Sequence, residues 1–293
     1  MDKDKVIVVR IWEGLGNQLF QYAYAKSLHA KGYEVYLDLE KSFDDTFTKY
    51  RHNDSRVNVI QNYNITLAQV DSDVLKKYEY IKRDCLKRKF IFWLASHGMW
   101  KYKFREETIQ HYQDKSRDVT PSCYVKGWFQ SEKYFSDIAE SIRNDISLNY
   151  DICLPEKIKN AIANKQSVSV HIRRGDYVKL HHELNNGYFF RAKKLIENKL
   201  DNPQFVVFSD DIEWVKNNLK LPEQSTSYVD DSLKLKDYEE LILMSQCKNH
   251  IISNSTFSWW AAWLDRNSDK IVIAPRQWLG GQKDIVLKEW TVI

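Results

Sequence analysis

The chain has 293 residues, 43 % of them apolar and 29 % charged, with a formal net charge of +4. That length accommodates two domains with sizeable cores. The mild basicity suits small anionic ligands or an anionic surface and does not call for nucleic acid, and no apolar run is long enough to span a bilayer. Cys85, Cys123, Cys153 and Cys247 stand at wide spacings with no C-x-x-C, which predicts neither a zinc site nor a disulfide framework. The first residues lead straight into a strand with no apolar leader, so the expected setting is the cytoplasm with reduced thiols.

In chain order, Val6 to Ile11 is a β-branched apolar run and reads as a buried strand. The turn Gly14-Leu15-Gly16 follows, then a helix pattern from about Asn17 to Lys31 stopped by Gly32, then a strand from Glu34 to Leu39. Strand, glycine turn, helix, strand opens a parallel α/β sheet. Residues 40–165 are less regular, with helix patterns near 67–82 and 132–146 and a basic, aromatic stretch over 81–105. From Ser167 the alternation is plain: strands at 167–172, 205–208, 250–252 and 270–274, and helices at 188–199, 212–219, 236–246 and 256–264. This pattern predicts two Rossmann-like halves, with a boundary between 150 and 166.

Three constellations fall at strand ends, where open α/β sheets bind ligands. The first is His171-Ile172-Arg173-Arg174-Gly175-Asp176. Guanidinium groups there can take phosphate oxygens bidentately, each charge worth on the order of 4 kcal/mol before desolvation. A departing nucleoside diphosphate gains negative charge in the transition state, which such an arginine stabilises selectively. An alternative job for the motif is an Arg173–Asp176 ion pair with His171 satisfied in the core. The second is Ser253-Asn254-Ser255-Thr256-Phe257, a hydroxyl-rich turn running into a helix, which is an anion site or a simple cap. The third is Phe208-Ser209-Asp210-Asp211, whose carboxylates suit a base or ribose, or a helix cap.

Gly14, Gly16, Asn17 and Gln18 lie in a near miss to G-x-G-x-x-G, with Leu19 at the third glycine and Asp38 ending the next strand. A nicotinamide-dependent oxidoreductase would use that turn, but it would leave the arginine motif without a job. Asp71-Ser72-Asp73 sits in a polar helix pattern and reads as a solvated cap, so no metal site is expected. The 81–105 stretch is either a solvated basic face or a peripheral contact with anionic membrane.

Together, Gly14-Leu-Gly-Asn-Gln-Leu-Phe-Gln-Tyr-Ala23, His171 to Tyr177, Phe208 to Asp211, and Asp237-Tyr-Glu-Glu-Leu241 through Trp263 resemble the bacterial α-1,2-fucosyltransferase family. The resemblance implies an α/β, GT-B-type fold of two Rossmann-like domains facing a cleft. Residues 1–160 would form the acceptor side with a helical insertion, and 161–293 the GDP-fucose-binding domain. It implies inverting, metal-independent transfer of L-fucose from GDP-β-L-fucose to the 2-OH of a terminal β-galactoside, on an oligosaccharide or a lipid-linked glycan. A fucosyltransferase of other linkage is the neighbouring reading.

His-x-Arg-Arg-x-Asp is similar to a motif of α-1,6- and protein O-fucosyltransferases. By that similarity Arg173 contacts the β-phosphate, Arg174 supports it and His171 lies near the nucleotide. Asp210 or Asp211 reads guanine or ribose, and Ser255 and Thr256, flanked by Asn254 and Phe257, hold the diphosphate. Gly14, Gly16, Asn17 and Gln18 line the opposing wall. Asp176, Glu183 and Glu13 are candidates for the base that takes the acceptor proton, Asp176 being the one inside a motif.

Overall fold

A computed structural model describes residues 6–39, 59–78, 119–278, 281–282 and 284–293, and between 90 and 114 residues 90, 93, 94, 97, 99, 103–107 and 112–114. The chain divides into two compact units, Met1–Ile146 and Ser147–Ile293.

The first unit begins with strand β1 (Val6–Arg10), every residue of which is buried. Helix α1 (Leu15–Ala30) follows, entered from an extended Gly14 and buried at Leu19, Ala23 and Leu28 as its apolar spacing predicts. Gly32 at φ +91° ends it, a conformation that costs a residue without Cβ little. Strand β2 (Glu34–Asp38), strand β3 (Lys103–Glu107) and strand β4 (Cys123–Gly127) complete a parallel sheet in the order β2-β1-β4-β3.

The predicted helix at 67–82 shrinks to α2 (Ser72–Lys76). Residues ahead of it instead run along the edge of β2, where Leu37 N–H donates to Ala68 O at 2.9 Å and Val70 N–H to Leu37 O at 2.9 Å. Asp71 caps α2 by accepting from Asp73 N–H at 2.8 Å, the role expected of it. The pattern at 132–146 becomes short turns and α3 (Ala139–Asp145). Most of the basic stretch at 81–105 lies outside the described residues.

The second unit opens with α4 (Glu156–Ala163) and β5 (Ser167–Ile172). It continues through α5 (Gly175–Lys179), α6 (Asn186–Glu197), β6 (Gln204–Ser209), α7 (Ile212–Asn218) and β7 (Thr226–Val229). It closes with α8 (Asp237–Gln246), β8 (Asn249–Ile251), α9 (Thr256–Leu264), β9 (Val272–Ala274) and β10 (Thr291–Val292). All pairings are parallel, in the order β10-β9-β8-β5-β6-β7.

Val168, Val170 and Ile172 pack with Tyr188, Phe189, Ala192 and Ile196 of α6 on one face of this sheet. Val206 and Phe208 pack with Ile158 and Ile162 of α4 and with Leu243 and Met244 of α8 on the other. Helices therefore cover both faces, as a fully parallel sheet requires. Helix α4 belongs to this second core and so to the second compact unit. Trp259, Trp260 and Trp263 are core residues, each 2 % exposed or less.

Candidate functional site

Strand β5 sits at the centre of the second sheet, with β6 on one side and β8 on the other. Chain order reverses there, so the residues after β5 stand at the topological switch point where such sheets bind nucleotides. The structure gathers His171, Arg173, Arg174, Asp176, Asp210, Asp211 and Asn254 at this point, next to the start of α9 at Ser255, Thr256 and Phe257.

Ser253 joins the two loops. Its hydroxyl donates to His171 O at 2.7 Å and accepts from Arg173 N–H at 3.3 Å. Arg173 is held from two sides: Nε donates to Asp176 Oδ1 at 3.0 Å, Nη2 pairs with the same oxygen at 2.9 Å, and Nη1 pairs with Asp210 Oδ2 at 2.9 Å. Burial works against its charge, but the Asp210 and Asp176 carboxylates outweigh that and hold its pKa above the ordinary arginine value. Arg174 spends only Nε on Asp211, at 3.1 Å, and lays its guanidinium 3.6 Å from the centre of the Trp214 ring. Both its Nη groups remain for an anion, and the indole fixes their plane.

Asp210 also accepts from Arg174 N–H at 2.8 Å. A Cβ on Gly175 would lie 2.8 Å from Asp210 Oδ2, so the glycine is what lets this carboxylate reach both arginines. Asp176 and Asp210 therefore position cations. Asp211 does so too, and caps α7 by accepting from Trp214 N–H at 3.1 Å. This geometry does not favour Asp176 as the free base that its place in the motif suggested. Its Oδ1 is bound twice by Arg173.

His171 is 5 % exposed and its pKa is pushed down to about 3 by burial and, secondarily, by Arg173, so its ring is neutral. Its Nδ1 is buried with no hydrogen-bond partner, as are Asn254 Oδ1 and Glu183 Oε2. Asn254 is 7 % exposed and fixed through Nδ2, which donates to His182 O at 3.0 Å. Uncommitted buried polar atoms of this kind cost stability unless a ligand or water meets them. Ser255 caps α9, with Phe257 N–H donating to its hydroxyl at 3.4 Å, and the remaining N–H groups of that first turn form the positive end of the helix.

Sequence reasoning assigned no role to Glu240, one turn into α8. Its carboxyl is pushed up to about 7 by burial and then by Asp237, Asp231 and Asp210. It stands inside the Asp237-Tyr-Glu-Glu-Leu241 block, but the spacing gave no sign of Asp210 as a neighbour.

The glycine-turn residues belong to the first unit. Asn17 Nδ2 donates to Glu13 Oε2 at 2.8 Å, and Asn17 Oδ1 accepts from Gln130 Nε2 at 2.6 Å. Gln18 was expected to line a wall, but it is 1 % exposed and internally bonded. Its Nε2 donates to Glu13 O at 2.7 Å and its Oε1 accepts from Val59 N–H at 3.1 Å. Gly14 is the N-cap of α1, and Gly16 is buried within its first turn. Asp38 is also buried, accepting from Tyr124 OH at 2.5 Å, so it is not presented to a ribose. The dinucleotide reading of this turn therefore fails. Among the described residues no group of three or more His, Cys, Asp or Glu could hold a metal ion, and no helix is long and apolar enough to cross a membrane.

Two Rossmann-like units of parallel sheet, with an arginine pair at the switch point of the second, define a glycosyltransferase of GT-B type. The model for glycosyl transferase family 11 matches residues 6–293, and the chain belongs to that family. It is 31 % identical to an Escherichia coli alpha-1,2-colitosyltransferase, over 93 % of this chain and 92 % of that protein. It is 30 % identical to the Escherichia coli O-antigen biosynthesis glycosyltransferase WbnK, over 94 % of this chain and 97 % of that protein. Among solved structures, an Arabidopsis thaliana FUT1 variant in complex with GDP superposes with a TM-score of 0.50 at 12 % identity, covering 92 % of this chain and 70 % of that one, a likeness of fold.

Proposed function

We propose that the protein transfers L-fucose from GDP-β-L-fucose to the 2-OH of a terminal β-galactoside, with inversion and without a metal ion, in the building of a surface glycan. The observation that carries this reading is the Arg173–Arg174 pair, set by three carboxylates at the β5 switch point beside the unpartnered His171 Nδ1 and Asn254 Oδ1. The acceptor hydroxyl oxygen forms its bond to C1 as the C1–O bond to GDP breaks, and the electron pair of the broken bond leaves on the β-phosphate. The hydroxyl proton passes to a carboxylate base, for which Glu183 and Glu13 are the candidates left beside the arginine-bound Asp176. Arg173 and Arg174 stabilise that developing charge, the part a metal ion plays elsewhere. The α9 N-terminus and neutral His171 add N–H donors to the diphosphate. Asp176 and Asp210 act through the arginines as positioning residues.

A colitosyl donor is the second reading, favoured by the identity to the colitosyltransferase relative. It shares the GDP site and differs in the sugar.

Thermal-shift titration with GDP, GDP-fucose, GDP-colitose, UDP-galactose and NAD, each with and without EDTA, tests the reading. Stabilisation by GDP compounds that survives EDTA is expected. A preference for UDP or NAD, or loss with EDTA, overturns it. Product analysis on lactose, N-acetyllactosamine and galactosyl-β-1,3-N-acetylgalactosamine then reads donor, acceptor and linkage.

A further inference from the structure

The first unit carries, at the C-terminal ends of β1 and β4, a cluster that the donor site does not use. Trp12 follows β1 and Trp128 follows β4, and their rings meet at 4.7 Å between centroids. Lys126 Nζ stands 5.0 Å over the Trp12 ring. Both indoles are half-buried. Glu13 at φ +66° and Phe129 at φ +50° flank them in the left-handed region. Behind them runs the chain Glu13–Asn17–Gln130. Three N–H donors are buried without a partner at the same strand end: Arg10 Nε, Trp12 Nε1 and Gln21 Nε2, the last on a residue that is 0 % exposed and accepts from Trp12 N–H at 2.8 Å.

We infer that this rim is the acceptor-sugar subsite, in which Trp128 and Trp12 stack on a pyranose ring and the unpaired donors and Glu13 meet its hydroxyls. The inference rests on the glycosyltransferase reading and deepens it by naming where the acceptor is read. The chemistry suits a neutral hydroxylated ring: an aromatic face takes its C–H surface, and paired carboxylate and amide groups take its oxygens. A diphosphate calls for the guanidinium pair of the second unit instead. The strained turns aim these groups, since neither Trp12 nor Trp128 lies within a regular strand.

The test is steady-state kinetics of Trp128→Ala and Trp128→Phe, with donor hydrolysis in the absence of acceptor measured alongside. Acceptor KM is expected to rise roughly tenfold in Trp128→Ala, the size of one lost stacking contact. Donor KM and acceptor-independent hydrolysis should stay unchanged, and Trp128→Phe should recover most of the loss. An unchanged acceptor KM, an equal rise in donor KM, or no rescue by Phe overturns the subsite. Saturation-transfer NMR with lactose and GDP gives a readout independent of turnover. Lactose signals should be present in the wild type and lost in Trp128→Ala, and absence in the wild type also overturns the inference. Failure of GDP to bind in the same samples counts against the donor reading and is scored separately.

Discussion

Replacing Gly175 by Ala probes the device that holds the arginines. The backbone of Gly175 is helical and accepts alanine, so the whole penalty comes from the Cβ placed 2.8 Å from Asp210 Oδ2. Asp is too short to swing aside while keeping Arg174 N–H at 2.8 Å and Arg173 Nη1 at 2.9 Å. One of these charged contacts must break. For a pair whose side chains are about a third exposed, that loss is about 1–2 kcal/mol. The helix gains roughly 0.5–1 kcal/mol from alanine. The net effect, between about zero and a loss of about 1.5 kcal/mol, lowers the Tm by at most roughly 5 °C. Freeing Arg173 weakens GDP by about 10- to 100-fold, the value of one charge-assisted hydrogen bond. With Asp210 also changed to Ala the clash is gone, so Gly175→Ala should then stabilise by roughly 0.5–1 kcal/mol. Thermal melts and GDP titrations of the four-member cycle read both quantities. The reasoning is refuted if Gly175→Ala destabilises equally in the two backgrounds, or if GDP affinity does not change.

Arg173→Ala should abolish nearly all transfer while circular dichroism still shows a folded protein, with a Tm lowered by a few degrees for the lost carboxylate contacts. Arg173→Lys should recover little activity because a point charge cannot bridge Asp176, Asp210 and a phosphate together. His171 has a folded pKa of about 3 against an ordinary 6.5, so the unfolded chain binds the extra proton between those values and stability falls as pH drops through that window. Urea unfolding between pH 4 and 7 should show a shallower fall in His171→Gln, and an unaltered slope would contradict the neutral ring. Glu240 has the opposite linkage: its folded pKa of about 7 against 4.5 means stability is lost as pH rises between them. Glu240→Gln should therefore gain stability over wild type at pH 8 and not at pH 4, and equal stability at pH 8 would remove Glu240 from the acidic cluster.

Much of the second unit was legible from sequence because interior parallel strands read as continuous apolar runs and their helices as amphipathic ones. Ser167 to Ile172, Ile212 to Asn218 and Thr256 to Leu264 stand close to where periodicity put them. The five-residue helix Gly175–Lys179 escaped, being too short to show a period. The strand Cys123–Gly127 lay in the stretch that showed no clear pattern. The first turn of the helix expected from 67 gave way to an isolated bridge beside β2, because Leu37 offered both its N–H and its C=O to that segment.

The amino-acid sequence by itself determined the α/β class, the arginine motif at a strand end and the hydroxyl-rich start of α9, since each is a local pattern within a dozen residues. Only the tertiary structure decided what those groups do to one another. Asp210 reaches Arg173 from 37 positions away and Ser253 reaches His171 from 82, across neighbouring parallel strands whose order no local period encodes. The same non-local pairing buried Gln18 and Asp38 and brought Trp12 beside Trp128.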